Sequence, residues 1–369
     1  MKINATQILE KVIASNASDL HITVGCSPFI RVNMQLHLLN EFPPLSVDDV
    51  EYFLSQILDT QQRELLEVNK ELDFSVALGT KARFRVNAFF QKGYLSAALR
   101  YIPISVPPIE SLNLPTYFGN LCNLKQGLIL VVGPTGHGKS TTIAAMLDRI
   151  NETRAEHIVT IEDPIEYVFT NKKSLVEQRE LFLDTHAWNI ALKSILRQDP
   201  NVVLIGEMRD AETMSSALQI SETGHLVFAT LHTNSASQTV ERIISSFPAE
   251  KQNEIRLQLS QVIEVVISQR LIPSEKKKVV PAIEIMLGSD AVKTLIREGR
   301  THMLDNVIKT SSQVGMVSLE KSLAELIKDG SITWDDGVKY TSRPEELRRL
   351  EKCNKICPYT TTLPKTKKD

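Results

Sequence analysis

Eight residues constrain this chain more than any other stretch: Gly133-Pro134-Thr135-Gly136-His137-Gly138-Lys139-Ser140. They fit G-x-x-x-x-G-K-[ST], the pattern of a loop that cradles phosphates. The context fits as well. Residues 128–132 are a continuous apolar run of the kind buried in a parallel sheet. Thr141 and the residues after it read as a helix that starts at once. A strand, a glycine-rich turn and a helix N-terminus together form an anion site, because free backbone N–H groups and the helix dipole both favour negative charge there. Lys139 supplies a point charge for the β- and γ-phosphates, and the Ser140 hydroxyl can ligate Mg²⁺. The nucleotide-binding stretch therefore runs from Gly133 to Thr141, with ATP and Mg²⁺ as the expected ligands.

The rest of the composition narrows the setting. At 369 residues the chain has room for two or three domains, and 42% apolar content is enough for ordinary cores. A formal net charge of −2 argues against nucleic acid as the main partner. Four cysteines, Cys26, Cys122, Cys353 and Cys357, show no disulfide framework, which points to a reducing compartment. Cys353 and Cys357 have no second ligand pair beside them, which favours free thiols over a metal site. The first residues lack the apolar core of a signal peptide, and no apolar run reaches membrane-spanning length. A cytoplasmic protein without direct membrane insertion is expected.

The chain divides into successive regions. Residues 1–105 read as an α+β domain, with a short amphipathic helix over 6–14, a helix over 47–66, and strands over 19–24, 28–39, 72–77, 83–90 and 96–102. Pro103, Pro107, Pro108 and Pro115 make 106–115 an extended, stiff linker. From 116 to 287, apolar strands over 128–132, 158–161, 202–205 and 226–231 alternate with helices, the pattern of a mainly parallel sheet covered on both faces. Leu259, Val262, Ile263, Val266 and Ile267 form a helical core stripe. Lys276-Lys277-Lys278 reads as a charged turn before a strand over 280–286. Helices follow over 288–350, and the basic end, 351–369, reads as disordered. The fold class is α/β, with an α+β domain in front.

Further segments say what happens to a bound triphosphate. Residues 202–205 form an apolar strand followed by Gly206 and Glu207, which places a carboxylate at the sheet edge beside the phosphates. Glu207 can hold Mg²⁺ directly or through water. Glu162, Asp163 and Glu166 crowd three carboxylates around Pro164. Such crowding is costly unless a cation or a proton transfer gives the acids a task, and the alternative is a solvated acidic loop. His225 and His232 flank the strand over 226–231, and His232 stands at the edge of Glu207, either sensing the γ-phosphate or serving structure. Arg83 and Arg85 share one strand face, and Arg100 lies on another strand. They read equally as fingers that reach phosphates or as a solvated basic face.

These motifs together resemble the secretion ATPases of the type II and type IV pilus superfamily, and within it the branch that drives pilus retraction and twitching motility. The resemblance runs from about Ser18 to about Ile327. It implies that Gly133–Thr141 is the Walker A loop and that residues 157–166 form an acidic box whose last residue, Glu166, is the catalytic base. It implies a Walker B segment with Glu207 and a histidine box with His225 and His232. Arg83, Arg85 and Arg100 match the arginines that such proteins bring to the nucleotide. Residues 291–298 resemble the segment linked to retraction, with Lys293 as a departure. His137 is a second departure, expected to have little effect. The resemblance implies a PAS-like N-terminal domain, a RecA-like ATPase core with a helical C-terminal subdomain, and a homo-hexameric ring. The ring would work at the cytoplasmic face of the inner membrane on a pilus platform protein, alongside other pilus ATPases. Pilus-extension and type II or type IV secretion ATPases are the alternatives, as is a weakly hydrolysing accessory subunit. Relatives in the extension class carry a longer N-terminal region and a four-cysteine insertion, and residues 116–275 contain only Cys122.

Overall fold

The computed structural model describes residues 3–32, 35–79, 82–102, 105–115, 117–274, 276 and 279–352. Cys353, Cys357, the basic end over 353–369, and Lys277 and Lys278 of the charged turn lie outside the described residues. The chain forms two compact units, one of residues 1–105 with 166–168, the other of residues 106–165 with 169–369.

The first unit is built on a six-stranded antiparallel sheet. Its strands are β1 (Asp19–Thr23), β2 (Phe29–Val32), β3 (Gln35–Leu38), β4 (Glu71–Leu78), β5 (Ala82–Gln91) and β6 (Tyr94–Ile102), in the order β3-β2-β1-β6-β5-β4. Alternation sorts the side chains by face. Leu20, Ile22, Phe84, Val86, Ala88, Ala97 and Leu99 are buried in a core shared with Ile8, Leu9 and Val12 of helix Ala5–Ala14 and with Phe53 and Leu54 of helix Val47–Ser55. The other face is polar. The helix expected over 47–66 is two helices, Val47–Ser55 and Thr60–Asn69. Asp59 explains the break. Its carboxylate accepts the Gln62 N–H at 2.8 Å and the Gln62 side chain accepts the Asp59 N–H at 3.1 Å, so a capping box starts a new helix there.

The second unit is organised by a seven-stranded sheet. Its strands are β7 (Gly127–Val132), β8 (His157–Glu162), β9 (Leu175–Glu180), β10 (Val202–Ile205), β11 (Leu226–Leu231), β12 (Ile263–Pro273) and β13 (Val279–Leu287), in the order β13-β12-β7-β11-β10-β8-β9. All neighbours are parallel except β12 and β13. Every residue of β7 is buried. Leu128, Leu130 and Val132 pack on one face with Met214 and Leu218 of helix Ala211–Glu222. Ile129 and Val131 pack on the other with Ile143, Met146 and Leu147 of helix Lys139–Thr153. A strand buried on both faces reads as a continuous apolar run, which is why the pattern before the phosphate loop shows no alternation.

Two expectations are corrected in this unit. The helical stripe 259–267 is a helix that becomes a strand. Helix Gln252–Val262 carries Leu259 and Val262, and Ile263, Val266 and Ile267 lie on β12 between β7 and β13. β-Branched residues favour the strand once a neighbour on each side offers a ladder. The stretch 106–115 is not an extended linker throughout. Residues Ile109–Leu112 form a 3₁₀ turn, and Ile109 is buried with Phe118, Ile143 and Leu147. Pro108 leads into the turn, and one apolar residue, Ile109, fixes it to the second unit.

Beyond β13, helices Asp290–Arg297, Leu304–Thr310, Leu319–Lys328, Trp334–Lys339 and Pro344–Lys352 close the second unit. Leu323, Ala324 and Leu347 from these helices pack with Ile272 of β12 and Val280 of β13. Lys293, the departure in the retraction-like segment, donates to Glu264 of β12 at 2.9 Å and so ties its helix to the sheet.

Candidate active site

Strand direction gathers the second unit's chemistry at one edge. β7, β8, β10 and β11 run parallel, so the residues that follow them emerge together at the carboxyl end of the sheet. β7 leads into the phosphate loop and then the 15-residue helix Lys139–Thr153. β8 ends at Glu162, with Asp163 next. β10 leads to Glu207, and β11 leads to His232.

The loop leans on β12. A Cβ at Gly133, whose φ is +141°, would lie 2.3 Å from the Gln269 carbonyl oxygen, so no side chain fits there. Gly138 has φ +78° and caps the helix, and a Cβ there would meet the Gln269 amide nitrogen at 2.9 Å. Lys139 is buried, and its ammonium donates to the carbonyls of Gly133 at 2.8 Å and Pro134 at 3.0 Å.

A line of polar contacts runs from this ammonium across the edge. Lys139 Nζ lies 3.4 Å from Nδ1 of His232, and the Thr135 hydroxyl lies 3.3 Å from the same nitrogen. The other ring nitrogen of His232, Nε2, faces Glu207 Oε1 at 3.2 Å. Arg209 Nε holds the second Glu207 oxygen at 2.9 Å, and its Nη1 lies 3.7 Å from Asp163. A neutral His232 with its proton on Nε2 satisfies every one of these contacts, donating to the carboxylate and accepting from the loop. Glu162 is buried and accepts from the Thr160 hydroxyl at 2.7 Å and the Gln178 amide at 3.2 Å. Glu162 is therefore held by hydrogen bonds and Asp163 faces Arg209.

The expected site residues fall into two sets. Lys139, Ser140, Thr141, Glu162, Asp163, Glu207 and His232 belong to the second unit. Arg83, Arg85 and Arg100 belong to the first, and so does Glu166, which clusters there with Tyr167 and Val168. The two histidines of the box stand apart: His225 precedes β11 and lies at the opposite sheet edge from His232, a strand length of about 20 Å away. Its Nδ1 sits 2.9 Å from the Thr223 hydroxyl and 3.0 Å from the Ile220 carbonyl, the position of a helix-end cap. His137 faces β12: its Nδ1 accepts the Leu271 N–H at 2.9 Å and its carbonyl accepts the Gln269 amide at 2.9 Å, so the residue fastens the loop. Gln269 carried no role in the sequence reading. The signal was present, since Ser268 and Gln269 interrupt an apolar strand run, and buried polar groups need partners.

On the first unit's polar face, four charged residues form a cross-strand row. Arg31 pairs with Asp19, Asp19 with Arg100, and Arg100 with Arg85. Asp19 Oδ1 accepts from Arg100 Nε at 3.1 Å, and Asp19 Oδ2 lies 3.7 Å from Arg31 Nε. Arg83 donates to the Ser75 hydroxyl at 2.7 Å. Arg85 is exposed directly opposite Arg100. Two guanidinium groups in facing positions repel, and one carboxylate does not neutralise the row.

A parallel sheet with a phosphate loop after one strand, an acid after a second and a histidine after a third defines a P-loop nucleoside triphosphatase. The family model described as Type II/IV secretion system protein matches residues 1–338. The type IV pilus retractation ATPase PilT of Pseudomonas aeruginosa is 43% identical over 345 residues, 94% of this chain and 100% of that protein. A twitching motility protein of Neisseria gonorrhoeae is 44% identical over 323 residues, 87% of this chain and 86% of that protein. A crystal structure of the pilus retraction motor PilT with bound ADP matches with a TM-score of 0.88 at 42% identity, covering 95% of this chain and 99% of that one. The chain belongs to the type II/IV secretion system protein family. Among its described residues, no helix is long and apolar enough to cross a membrane.

Proposed function

We propose that this chain is an ATPase motor of type IV pilus retraction, working as a ring of six like subunits. The observation that carries the reading is the line from Asp163 through Arg209, Glu207 and His232 to Lys139. It joins the acid after β10 and the histidine after β11 to the lysine that grips the phosphates. A site that only stored a nucleotide would have no use for that connection. The loop's backbone N–H groups and Lys139 receive the phosphates of ATP, and His232 reports their arrival to Glu207. Glu166 takes the proton of the attacking water. Arg83, Arg85 and Arg100 supply positive charge to the phosphates during hydrolysis.

Magnesium fits the donor set. The Ser140 hydroxyl and the Glu207 carboxylate would serve as hard oxygen ligands, with Glu162 and Asp163 as the outer acids that would order water around the ion. Mg²⁺ is held by one or two protein oxygens together with substrate phosphates, so a protein-only cage is not required. When bound, it neutralises charge on the phosphates.

Relatives named for pilus retraction and twitching match this chain along nearly all of its length, which supports the retraction reading. In that reading the motor would act on an inner-membrane platform protein from the cytoplasmic face, alongside other pilus ATPases. Deleting the gene and counting surface pili tests the direction of force. Loss of a retraction motor leaves more pili, and loss of an extension motor leaves none. A pilus-free deletion strain would sink the retraction reading while leaving the ATPase assignment intact.

A further inference from the structure

The phosphate loop is fastened by β12, a strand outside every nucleotide-site motif. Gln269 is 2% exposed and both ends of its amide are engaged. Oε1 accepts from the Thr142 hydroxyl at 2.7 Å, and Nε2 donates to the His137 carbonyl at 2.9 Å. Two residues along, the Leu271 N–H donates to His137 Nδ1 at 2.9 Å. The Gln269 backbone presses against Gly133. The loop is thus held before its apex at Gly133, after it at His137, and in the first helical turn at Thr142. Between those points lie the backbone groups that must converge on phosphate oxygens. Convergent donors lose affinity when their directions scatter, because binding must then order them.

We propose that Gln269 and His137 are positioning residues for the nucleotide: they hold the phosphate loop on β12 in its receiving conformation, and they make its grip sensitive to protonation of His137. The inference rests on the ATPase reading, and neither residue touches the reacting atoms. As an acceptor, His137 Nδ1 requires a neutral ring with the proton on Nε2. Arg270 faces the ring from β12, Lys139 from the helix start, and Tyr340 from the C-terminal helices, edge-on with ring centroids 6.5 Å apart. Burial first, then the charges of Arg270 and Lys139, hold its pKa below the usual 6.5. Protonation sets one N–H against another and adds a positive charge beside two others. The folded value is depressed, so the fastening is intact above about pH 6.5 and is lost as pH falls through the lower folded value.

The test uses the full-length protein, a fluorescent ADP analogue for affinity, phosphate release for turnover, and thermal melting for fold. Gln269→Glu keeps an acceptor for Thr142 but cannot donate to the His137 carbonyl. His137→Ala removes the acceptor for Leu271. His137→Asn returns an amide oxygen near Nδ1 and does not titrate. Gln269→Glu and His137→Ala are expected to weaken ADP binding about tenfold, the size of one lost hydrogen bond, while His137→Asn stays within about threefold. As pH is lowered stepwise below 6.5, wild-type affinity falls further than that of His137→Asn. Wild-type affinity in both Gln269→Glu and His137→Ala, or parallel pH profiles for wild type and His137→Asn, overturns the proposal. If Gln269→Glu fails to fold, the His137 variants on the half-exposed loop decide alone. A wild-type protein that binds no nucleotide overturns the ATPase reading and the clamp with it. Loss of binding in Lys139→Ala with normal binding in both clamp variants overturns the clamp only.

Discussion

His232 Nε2 lies 3.2 Å from Glu207 Oε1, and the opposite nitrogen of the same ring faces Thr135 and Lys139 of the phosphate loop. The imidazole is therefore a rigid spacer between the acid and the loop. Shortening it disconnects the two without removing any backbone donor to phosphate. His232→Ala should keep ADP affinity within about threefold and slow turnover by roughly 10²-fold, the range for loss of one preorganised polar group. Titration with a fluorescent ADP analogue and steady-state phosphate release give the two numbers. An affinity loss as large as the rate loss would assign His232 to binding instead.

The second unit was legible where local patterns determine structure. The phosphate loop, the strand before it and the helix after it follow from glycine spacing and one buried apolar run. The acid after β10 and the histidine after β11 follow from strand direction alone. What the sequence concealed depends on contacts between distant segments. Gln269 meets His137 across 132 positions of the chain, and no local pattern encodes that meeting. His137 looked replaceable because a loop that binds through its backbone makes no demand on side chains, yet Leu271 does. The stripe 259–267 misled for a related reason. Its apolar spacing suits a helix, but its second half is β-branched and enters a sheet with neighbours on both sides. In the first unit, residue alternation gave the arginine face, and only the cross-strand register showed Arg85 opposite Arg100 with Asp19 on the far side.

Arg100 is 71% exposed and Asp19 only 16%, so the pair is a surface bridge in which the carboxylate is the fixed partner. Exposed bridges contribute under about 1 kcal/mol, so Arg100→Ala should leave the melting temperature within a few degrees. Turnover should drop by roughly 10²-fold or more if the guanidinium serves hydrolysis, with nucleotide affinity nearly unchanged. Arg100→Lys keeps the charge but not the planar fork, and should recover only part of the rate. Normal turnover in Arg100→Ala would remove this arginine from the chemistry.

Glu284 on β13 is buried and accepts the Ala236 N–H at 2.7 Å, at the start of helix Ala236–Ser245. Burial pushes its carboxyl up to about 7, and Asp305 and Glu320 push the same way. A raised acid is protonated when folded and ionised when unfolded across the interval between its two pKa values. Its stabilising contribution is whole below about pH 4.5 and is lost as pH rises through about 7. Glu284→Gln retains an acceptor for Ala236 and does not ionise. Melting curves of wild type and variant should agree near pH 5 and separate by a few degrees near pH 8, with the variant more stable. Curves that stay parallel across that interval would show that Glu284 does not titrate in the folded protein.

Glu166 clusters with the first unit, and Asp163 with the second. A residue at that transition has two possible tasks, and they predict different kinetics. As the base that accepts a proton from water, Glu166 must be ionised during turnover, and its amide replacement should lose roughly 10²- to 10⁴-fold in kcat with ADP affinity preserved. As a packing residue, Glu166→Gln would shift affinity and melting temperature together and leave kcat nearly unchanged. Phosphate release, ADP-analogue titration and melting on both proteins separate the two. Equal turnover in wild type and Glu166→Gln would take the catalytic base away from this position altogether.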